Sequence, residues 1–454
     1  MITVLTVETP SLGDRSYLAH DGEVALVVDP QRDHDRIRAL AAETGVRITH
    51  VFESHIHNDY VTGGHALARA TGAQYLVNAD DPVSFERVGL HDGVVVAVGS
   101  MRIRALHTPG HTHTHLSFIL AGADGEPVAV FTGGSLLYGS TGRPDLLGPE
   151  HTADLAHAQW HSARRLAAEL PDRTEIYPTH GFGSFCSATQ SGGTASTIGA
   201  EKRANPALSQ DEATWVENLI AGLEDYPAYY AHMEPANLAG PTEIDLSAPA
   251  EADPAELRRR IGAGEWVVDL RTRTAFAAGH LAGTVNLGLD GQFVTYLGWL
   301  LPWGTPVTLL GETAAEVAEA QRELVRIGID RPAAIATGKP EDWAGDASLL
   351  RGFPQATFAD LADRIGRGEP PAVLDVRRAA ERAPEYIEGS VGIPIHEVLQ
   401  RLDEVPPGQV WVHCAAGYRA AIVASLLDAR GHDVVAVDDA FGNARAAGLP
   451  MAHG

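Results

Sequence analysis

The sequence predicts an α/β protein in which a helix-covered sandwich of β-sheets is followed by two smaller α/β domains with parallel sheets. Short β-branched runs alternate with helical patterns over residues 1–240. The stretch Glu234–Pro254 has several prolines and little periodicity, which is typical of a linker. After it, one strand–helix pattern occurs twice, which indicates an internal repeat. For a chain of 454 residues we therefore expect three domains, at 1–240, 255–350 and 355–454.

In the first domain, apolar periodicity separates strand candidates from helix candidates. The predicted strands are Ile2–Val7, Val24–Asp29, Thr49–Glu53, Val94–Val98, Met101–His107, Leu116–Leu120 and Val128–Thr132. The predicted helices are Asp33–Thr44, Gly64–Thr71, Thr152–Glu169 and Gln210–Leu223. Because the strands before residue 135 are close together and join through Gly/Asp turns, we expect antiparallel sheets covered by helices.

The two copies of the repeat open with similar segments, WVVDLRTRTAFAAGHLAGTVNL and AVLDVRRAAERAPEYIEGSVGIPI. In each, an apolar strand ends in Asp-x-Arg, at Asp269 or Asp375. A second strand, a helix and a third strand follow, at Pro306–Leu310, Ala314–Ile327 and Ala333–Ala336, and again at Gln409–His413, Arg419–Arg430 and Val434–Val437. Strands that alternate with helices predict a parallel sheet in each copy. Ligands bind at the carboxyl ends of such strands, so each copy should act through the loop after its second strand.

The composition narrows the class of function. The formal net charge is -25, which argues against nucleic acid and anionic membranes as partners. No apolar run is long enough to span a bilayer, and the first residues lack the pattern of a secretory signal, so we expect a cytoplasmic protein. The two cysteines, Cys186 and Cys414, lie in different predicted domains. A structural disulfide is not expected in a reducing compartment, so each is a candidate reactive thiol.

Three histidine-bearing loops follow predicted strands of the first domain. His55 and His57 are two residues apart, so their imidazoles point to the same side of an extended chain and can reach one ion. His111 stands in a Pro-Gly-His sequence and His180 in a Pro-Thr-His sequence. The three loops predict a metal site built from these four histidines.

The motifs SHIHNDYVTGG, HTPGHTHTH, FTGGSLLYGSTGRPDL and YPTHGFGSFC extend this pattern. With them, residues 1–235 resemble the metallo-β-lactamase superfamily, in its persulfide dioxygenase and glyoxalase-II-like branch. The resemblance implies the αββα sandwich of that family, a metal held by the histidine loops, and assembly into a homo-oligomer. It also implies Asp59, two residues after His57, as a further ligand. In the persulfide dioxygenases of the family, the positions that match His55 and His111 hold iron together with an Asp.

This sequence departs from the family pattern at two positions. Tyr60 stands where the family usually has His, and Gly134 where it has the Asp that bridges two metals or completes a single iron site. We therefore do not expect a two-metal site like that of the hydrolases. Three alternatives stay open for the missing carboxylate: His57 completes a three-histidine set, water or a substrate thiolate fills the gap, or the metal is lost.

Two further residues of this domain have alternative interpretations. Arg143 either clamps a substrate carboxylate or sulfonate with its guanidinium, or pairs with the nearby Asp145. Cys186 follows His180 closely and either relays sulfur near the metal or is a buried, inert thiol.

The second copy of the repeat contains the sequence VHCAAGYRA, in which a Cys lies between an apolar strand and a helix. At a helix N-terminus the backbone N–H groups stabilise anions. This loop resembles the active loop of the rhodaneses, whereas a Cys-x₅-Arg phosphatase loop is one residue longer. The resemblance implies that Cys414 accepts sulfur, with Arg419 as a second catalytic residue. The backbone between them would cradle the persulfide, at Ala415, Ala416, Gly417 and Tyr418.

The first copy has no cysteine in the corresponding loop, so we expect it to be an inactive spacer. The sequence thus predicts a persulfide dioxygenase fused to a sulfurtransferase, with Fe(II) as the cofactor. Its partners would be a low-molecular-weight thiol persulfide, O₂, and sulfite or thiosulfate. A site with zinc would instead activate water, which makes a thioester hydrolase the first alternative. A rhodanese with a catalytically dead metal domain is the second.

Overall fold

The computed structural model describes residues 2–189 and 193–454. The chain forms two compact units. Unit 1 contains the residues up to Asp245 together with Leu324–Asp330, and unit 2 contains Leu246–Glu323 and Arg331–Gly454. The division into three domains therefore stays a proposal, because unit 2 includes both copies of the repeat. No helix within the described ranges has the length and apolar character needed to cross a membrane.

The strands and helices up to residue 245 surround the predicted histidine loops. The strands are β1 (Thr3–Thr9), β2 (Asp14–His20), β3 (Val24–Val28), β4 (Arg47–Phe52), β5 (Gln74–Asn78), β6 (Val88–Leu90), β7 (Val95–Val98), β8 (Met101–His107), β9 (Leu116–Ala121), β10 (Pro127–Gly133), β11 (Glu175–Pro178) and β12 (Ser196–Thr197). The helices are α1 (Asp35–Thr44), α2 (Gly64–Thr71), α3 (Pro149–Glu169), α4 (Ile198–Ala204), α5 (Pro206–Ser209), α6 (Glu212–Ala221) and α7 (Tyr230–Ala239).

The remaining elements form the repeat. The strands are β13 (Trp266–Asp269), β14 (His280–Leu281), β15 (Val285–Asn286), β16 (Val307–Gly311), β17 (Ala334–Thr337), β18 (Leu350–Arg351), β19 (Gln355–Ala356), β20 (Ala372–Asp375), β21 (Tyr386–Ile387), β22 (Val391–Gly392), β23 (Gln409–His413), β24 (Asp433–Val437) and β25 (Met451–Ala452). The helices are α8 (Pro254–Gly262), α9 (Arg273–Ala278), α10 (Phe293–Leu300), α11 (Ala314–Arg326), α12 (Pro340–Ala344), α13 (Phe358–Gly366), α14 (Ala379–Arg382), α15 (Tyr418–Asp428) and α16 (Gly442–Ala446). Short 3₁₀ turns lie at Ala347–Leu349, Ile395–Glu397 and Leu402–Glu404.

Unit 1 contains two six-stranded sheets, in the orders β1-β2-β3-β4-β5-β6 and β12-β11-β10-β9-β8-β7. The predicted antiparallel pairing is present in β1 to β3 and in β7 to β10, but it does not extend to all the strands. Strands β3 to β6 run parallel, as do β10 and β11. The reason is the connections: α1, α2 and α3 lie between β3 and β4, β4 and β5, and β10 and β11, and such helical crossovers produce parallel neighbours.

The two sheets pack face to face around an aromatic core. Tyr17 and Phe52 from one sheet contact Phe131 and Phe118 from the other, with ring centroids 5.5 Å and 5.0 Å apart. The outer face of the first sheet is covered by α1 and α2, and that of the second by α3, α4 and α6. Unit 1 is therefore an αββα sandwich, as the sequence predicts.

The predicted linker Glu234–Pro254 is only partly irregular. Helix α7 continues to Ala239 although Pro235 lies inside it. Tertiary contacts outweigh the missing hydrogen bond of the proline, because Tyr230 and Met233 are buried. The Asn237 side chain also donates hydrogen bonds to the backbone carbonyls of His57 and Tyr60, each at 2.9 Å. Helix α7 is thereby attached to the first histidine loop.

Unit 2 contains two parallel sheets, in the orders β15-β13-β16-β17 and β19-β24-β23-β20-β22. This confirms the parallel arrangement predicted for the repeat. The Asp-x-Arg motifs also have the same geometry in both copies. Nη2 of Arg271 donates to Asp269 at 2.6 Å, and Nη2 of Arg377 donates to Asp375 at 2.7 Å. All four side chains are buried, so this pair is a structural feature of each copy.

Candidate metal centre and reactive cysteine loop

The three histidine loops of unit 1 meet at the ends of strands β4, β8 and β11. The ring centroids of His55 and His111 are 4.7 Å apart, those of His55 and His180 are 5.3 Å apart, and those of His111 and His180 are 5.2 Å apart. All three rings are buried. Side chains that are distant in sequence therefore surround one small space inside the sandwich.

Among the described residues, the potential ligand atoms form three overlapping groups that share His180, the third with Asp14 and Asp59. In the first group, atoms of His55, His57 and His180 all lie within 4.8 Å of one another; in the second, atoms of His111, His180 and Cys186 do. The Nε2 atoms of His55 and His180 are 3.3 Å apart. Two nitrogens that each lie about 2.1 Å from a tetrahedral ion are about 3.4 Å apart, so this spacing suits a shared metal.

The structure groups His57 with His55 and His180 rather than with His55 and His111, and Nε2 of His57 has further partners. Its Nε2 lies 3.1 Å from a carboxylate oxygen of Glu53, 2.9 Å from the hydroxyl of Tyr60 and 3.5 Å from Asp29. Burial opposes protonation of His57, but Asp29 and Glu53 outweigh it and raise its pKa to about 9. His57 therefore faces Asp29 and Glu53 through Nε2, while its buried Nδ1 has no hydrogen-bond partner among the described residues, so its role as a metal ligand stays a prediction.

His180 is oriented by two carboxylates. Its Nδ1 lies 2.9 Å from Asp14 and 3.1 Å from Asp59. Burial opposes protonation here too, but Asp59 and Asp14 raise the pKa of His180 to about 10. Because Nδ1 is held by the acids, Nε2 points toward His55. A divalent cation bound to Nε2 would replace the proton on this nitrogen and would balance the negative charge of Asp14 and Asp59 in its place.

His111 has the properties of a neutral metal ligand. Its Nδ1–H donates to the backbone carbonyl of Arg143 at 2.8 Å, and its Nε2 has no hydrogen-bond partner among the described residues. Burial, assisted by His180, lowers the pKa of His111 to about 3. A β-carbon at Gly134 would lie 2.3 Å from Cδ2 of His111, so the glycine leaves the space that this ring occupies.

Several buried acids of the centre were missed by the sequence prediction. Asp14 contacts His180 across 166 residues of chain. Asp29 accepts hydrogen bonds from the backbone N–H and the hydroxyl of Ser54, at 2.6 Å and 2.7 Å, and its φ of 50° is left-handed. Glu53 lies beside His57, and burial raises its pKa to about 7. Only Glu53 could have been suspected, since it directly precedes the first histidine motif.

Arg143 forms the ion pair with Asp145. Its Nε and Nη2 donate to the two carboxylate oxygens, both at 2.7 Å, and Nη2 and Nη1 also donate to the carbonyls of Glu224 and Phe185. The Arg143 side chain is 4% exposed. To clamp a substrate with two hydrogen bonds, the guanidinium would first have to break these bonds. The contacts therefore support a structural pair with Asp145.

The ligand types around His180 indicate which metals the centre suits. Nitrogens of His111 and His180 lie with the sulfur of Cys186 in one group, and nitrogens of His55 and His57 lie with His180 in another. Nitrogen and sulfur donors suit zinc or Fe(II) and not magnesium or calcium. Gly134 and Tyr60 stand in place of the bridging acid and the further histidine, while Asp14 and Asp59 form a third group with His180.

In unit 2, Cys414 directly follows β23 and lies just before α15. The backbone N–H of Gly417 donates to its sulfur at 3.1 Å. Gly417 has a φ of 92°, and a β-carbon there would lie 2.1 Å from a carboxylate oxygen of Asp438. The predicted loop thus turns a backbone donor toward the thiol, and glycine is required for that turn.

The residues around Cys414 are fixed by hydrogen bonds. Arg419 donates to both carboxylate oxygens of Glu381. Burial opposes ionisation of Glu381, but Arg419 lowers its pKa to about 2. The hydroxyl of Tyr418 donates to the carbonyl of Gly288 at 2.7 Å, so this side chain braces the loop against the first copy of the repeat. The carbonyl of Ala415 accepts from the N–H of Phe441 at 2.9 Å, and Ala416 is exposed.

In the first copy of the repeat, an acidic side chain occupies the loop that corresponds to the Cys414 loop. The carboxylate of Glu316 accepts hydrogen bonds from the N–H groups of Glu312 and Thr313, at 2.7 Å and 3.3 Å. These donors lie between β16 and α11, as the donors of the Cys414 loop lie between β23 and α15. A side-chain anion therefore satisfies the backbone donors that an incoming anion would need.

Comparison with known proteins agrees with this geometry. The family model of the metallo-beta-lactamase superfamily matches residues 15–180, and that of the rhodanese-like domain matches residues 357–445. The chain is 32% identical over 188 residues to a hydroxyacylglutathione hydrolase of Maricaulis maris, which covers 40% of this chain and 68% of that protein. It is 27% identical over 243 residues to the mitochondrial persulfide dioxygenase ETHE1 of Homo sapiens, covering 53% and 80%.

A solved structure covers more of the chain. The metallo-beta-lactamase of Staphylococcus aureus has a TM-score of 0.67 and 28% identity, and the match covers 74% of this chain and 99% of that one. By contrast, the chain spans just over half the length of other hydroxyacylglutathione hydrolases that it matches, 57% and 56% in two cases.

Proposed function

We propose, from the premise that the chain belongs to the metallo-β-lactamase superfamily and contains a rhodanese domain, that it is a persulfide dioxygenase with sulfurtransferase activity. Unit 1 would oxidise a low-molecular-weight thiol persulfide: R–S–SH, O₂ and H₂O give R–SH and sulfurous acid. Cys414 would carry sulfane sulfur. The supporting observation is that one chain contains both a buried histidine–acid centre and a cysteine loop with a backbone donor at its sulfur.

In the metal centre, His55, His111 and His180 would hold the ion, and Asp14 and Asp59 would fix the orientation of His180. Bound Fe(II) would supply open positions for a persulfide sulfur and for O₂. The protein contributes a site whose ligands are buried, which limits access of water. His57 would contact Asp29 and Glu53 through Nε2, and its Nδ1, which has no hydrogen-bond partner among the described residues, would stay available to the ion.

In the cysteine loop, the thiolate of Cys414 would attack the outer sulfur of a donor and become a persulfide, while the donor leaves as its thiolate. Sulfite would then remove that sulfur as thiosulfate and regenerate the thiolate. The N–H of Gly417 and the N-terminus of α15 would stabilise the negative charge on sulfur. Arg419, held by Glu381, would add a fixed positive charge beside the loop.

A zinc-dependent thioester hydrolase is the second candidate, favoured by the similarity to hydroxyacylglutathione hydrolases. In that case the ion would activate water rather than bind O₂. Metal analysis of protein purified without oxygen, combined with persulfide-dependent O₂ uptake, discriminates the two. Zinc without O₂ uptake supports the hydrolase. Substoichiometric metal with intact sulfur transfer would support the further alternative, a rhodanese with a dead metal domain.

The test of the leading proposal uses the full chain. Substituting Cys414→Ser should abolish sulfur transfer from thiosulfate to cyanide, because the sulfur acceptor is removed. Persulfide-dependent O₂ consumption should continue in the same preparation. Loss of both activities to the same degree would contradict two separate sites.

A further inference from the structure

The metal centre lacks the acidic ligand that its fold family places at position 134. Gly134 has no side chain, and its N–H donates to Nε2 of His115 at 3.0 Å. His57 cannot supply the missing negative charge, because Glu53 and Tyr60 engage its Nε2 and its remaining nitrogen, Nδ1, would be a neutral donor. An ion held by neutral imidazoles alone would keep its full charge in a buried site, so an anionic donor is expected close to His111.

Cys186 lies where such a donor is needed. Its sulfur is within 4.8 Å of ligand nitrogens of both His111 and His180. The residue is 0% exposed. The loop is fixed on both sides of the sulfur: the carbonyl of Cys186 accepts from the N–H of Arg143 at 2.9 Å, and its own N–H donates to the hydroxyl of Ser184 at 3.2 Å. The thiol is therefore positioned by its backbone.

A second observation points to a ligand at the same place. Nε2 of His111 is fully buried and has no hydrogen-bond partner within the described parts of the chain. Leaving a buried nitrogen unpaired is unfavourable unless something binds it. The ring is fixed with this atom inward, because Nδ1–H is bonded to the carbonyl of Arg143. His111 and Cys186 are thus tied to the same residue and face the same space.

We infer that the thiolate of Cys186 replaces the missing carboxylate as the anionic ligand, so that the metal is held by His111, His180 and Cys186. The inference rests on the proposed metal centre and changes its composition. On binding, the S–H bond breaks, a metal–sulfur bond forms, and the proton leaves to solvent. A nitrogen–sulfur set selects zinc, Fe(II) or Co(II) over harder cations.

The test is X-ray absorption at the zinc edge on the full chain, purified without oxygen and loaded with zinc. We expect a sulfur neighbour at about 2.3 Å beside the nitrogen neighbours. The sulfur contribution should disappear in Cys186→Ala and persist in Cys414→Ser. Since the chain has two cysteines, the Cys414→Ser protein retains Cys186 alone, and the test stands even if Cys186→Ala fails to fold. Zinc bound by nitrogen and oxygen only, or no bound zinc, would overturn the inference.

Oxygen uptake by the iron-loaded wild-type chain separates this inference from the proposed function. If the iron-loaded protein consumes O₂ with a persulfide but the zinc-loaded protein shows no sulfur ligand, the inference that Cys186 is a ligand is rejected. The proposal that the protein is a dioxygenase is then retained. Sulfur ligation without uptake would retain the ligand and reject the dioxygenase. In the Cys186→Ala protein we also expect zinc affinity to fall at least about tenfold in a competition titration, which measures binding directly.

Discussion

Arg419 and Glu381 face each other through two parallel hydrogen bonds, Nη1 to Oε2 at 2.5 Å and Nη2 to Oε1 at 2.7 Å. The side chain of Arg419 is 10% exposed and that of Glu381 is 25% exposed. Glu381 also receives the N–H of Arg378 at the start of α14. One carboxylate therefore joins the N-terminus of a short helix to the guanidinium of the Cys414 loop.

The first prediction concerns this pair. Glu381→Gln should lower the free energy of unfolding of unit 2 by about 2 kcal/mol at pH 7, between the values for exposed and buried pairs. Because Arg419 lowers the pKa of Glu381 to about 2 from 4.5, the ionised carboxylate stabilises the fold above pH 4.5. That stabilisation is lost as the pH falls toward 2. Urea unfolding at pH 7 and pH 3.5 should show a smaller difference at the lower pH.

The control for this prediction is Glu404→Gln, which removes a carboxylate from the exposed pair with Arg401. We expect little change in the urea midpoint. An equal loss in both variants would mean that burial of the Glu381 pair has no energetic consequence.

The second prediction concerns the turn that directs a donor at Cys414. Gly417→Ala should reduce sulfur transfer at least about tenfold, because the added β-carbon would lie 2.1 Å from Asp438 and displace the loop. The control is Gly431→Ala, which also has positive φ but no atom within 4 Å of a β-carbon. Thiosulfate:cyanide transfer should be near wild type in the control. Similar losses in both variants would assign the effect to backbone strain alone.

Much of this arrangement follows from the sequence because its signals are local. The Asp-x-Arg repeat at Asp269 and Asp375 predicts two related folds, and strand–helix alternation predicts their parallel sheets. The loop of Cys414 is contained in a few consecutive residues, so its strand–turn–helix context could be predicted. The histidine motifs at strand ends are local signals of the same kind.

The parts of the site that the sequence does not predict depend on contacts between segments that are distant in sequence. No spacing in the sequence connects Asp14 with His180, or Cys186 with His111; only the folded sandwich brings them together. The contacts of His57 with Asp29 and Glu53 are also long-range or depend on the fold, and they cannot be read from a His-x-His pattern. The antiparallel prediction fails for β3 to β5, because the helices between these strands act as crossovers.

The third prediction concerns Gly134. Gly134→Ala should weaken zinc binding at least about tenfold, because the new methyl group would lie 2.3 Å from Cδ2 of His111 and displace the ring. Ser135→Ala is the control: the Ser135 hydroxyl is buried without a hydrogen-bond partner among described residues, so its loss should leave affinity near wild type. Competition with a chromogenic chelator measures both. Unchanged affinity in Gly134→Ala would exclude His111 as a ligand.

The last prediction separates the two roles considered for Arg143. If the pair with Asp145 is structural, Arg143→Ala should lower the unfolding free energy of unit 1 by about 3 kcal/mol, because a partly buried carboxylate and two carbonyls lose their donor. Asp145→Asn should give a smaller loss, and the double variant should lose less than the sum, since the residues act as a pair. Urea midpoints of the four proteins form the cycle. If Arg143→Ala leaves the unfolding free energy unchanged and raises the KM for persulfide, the guanidinium binds substrate instead.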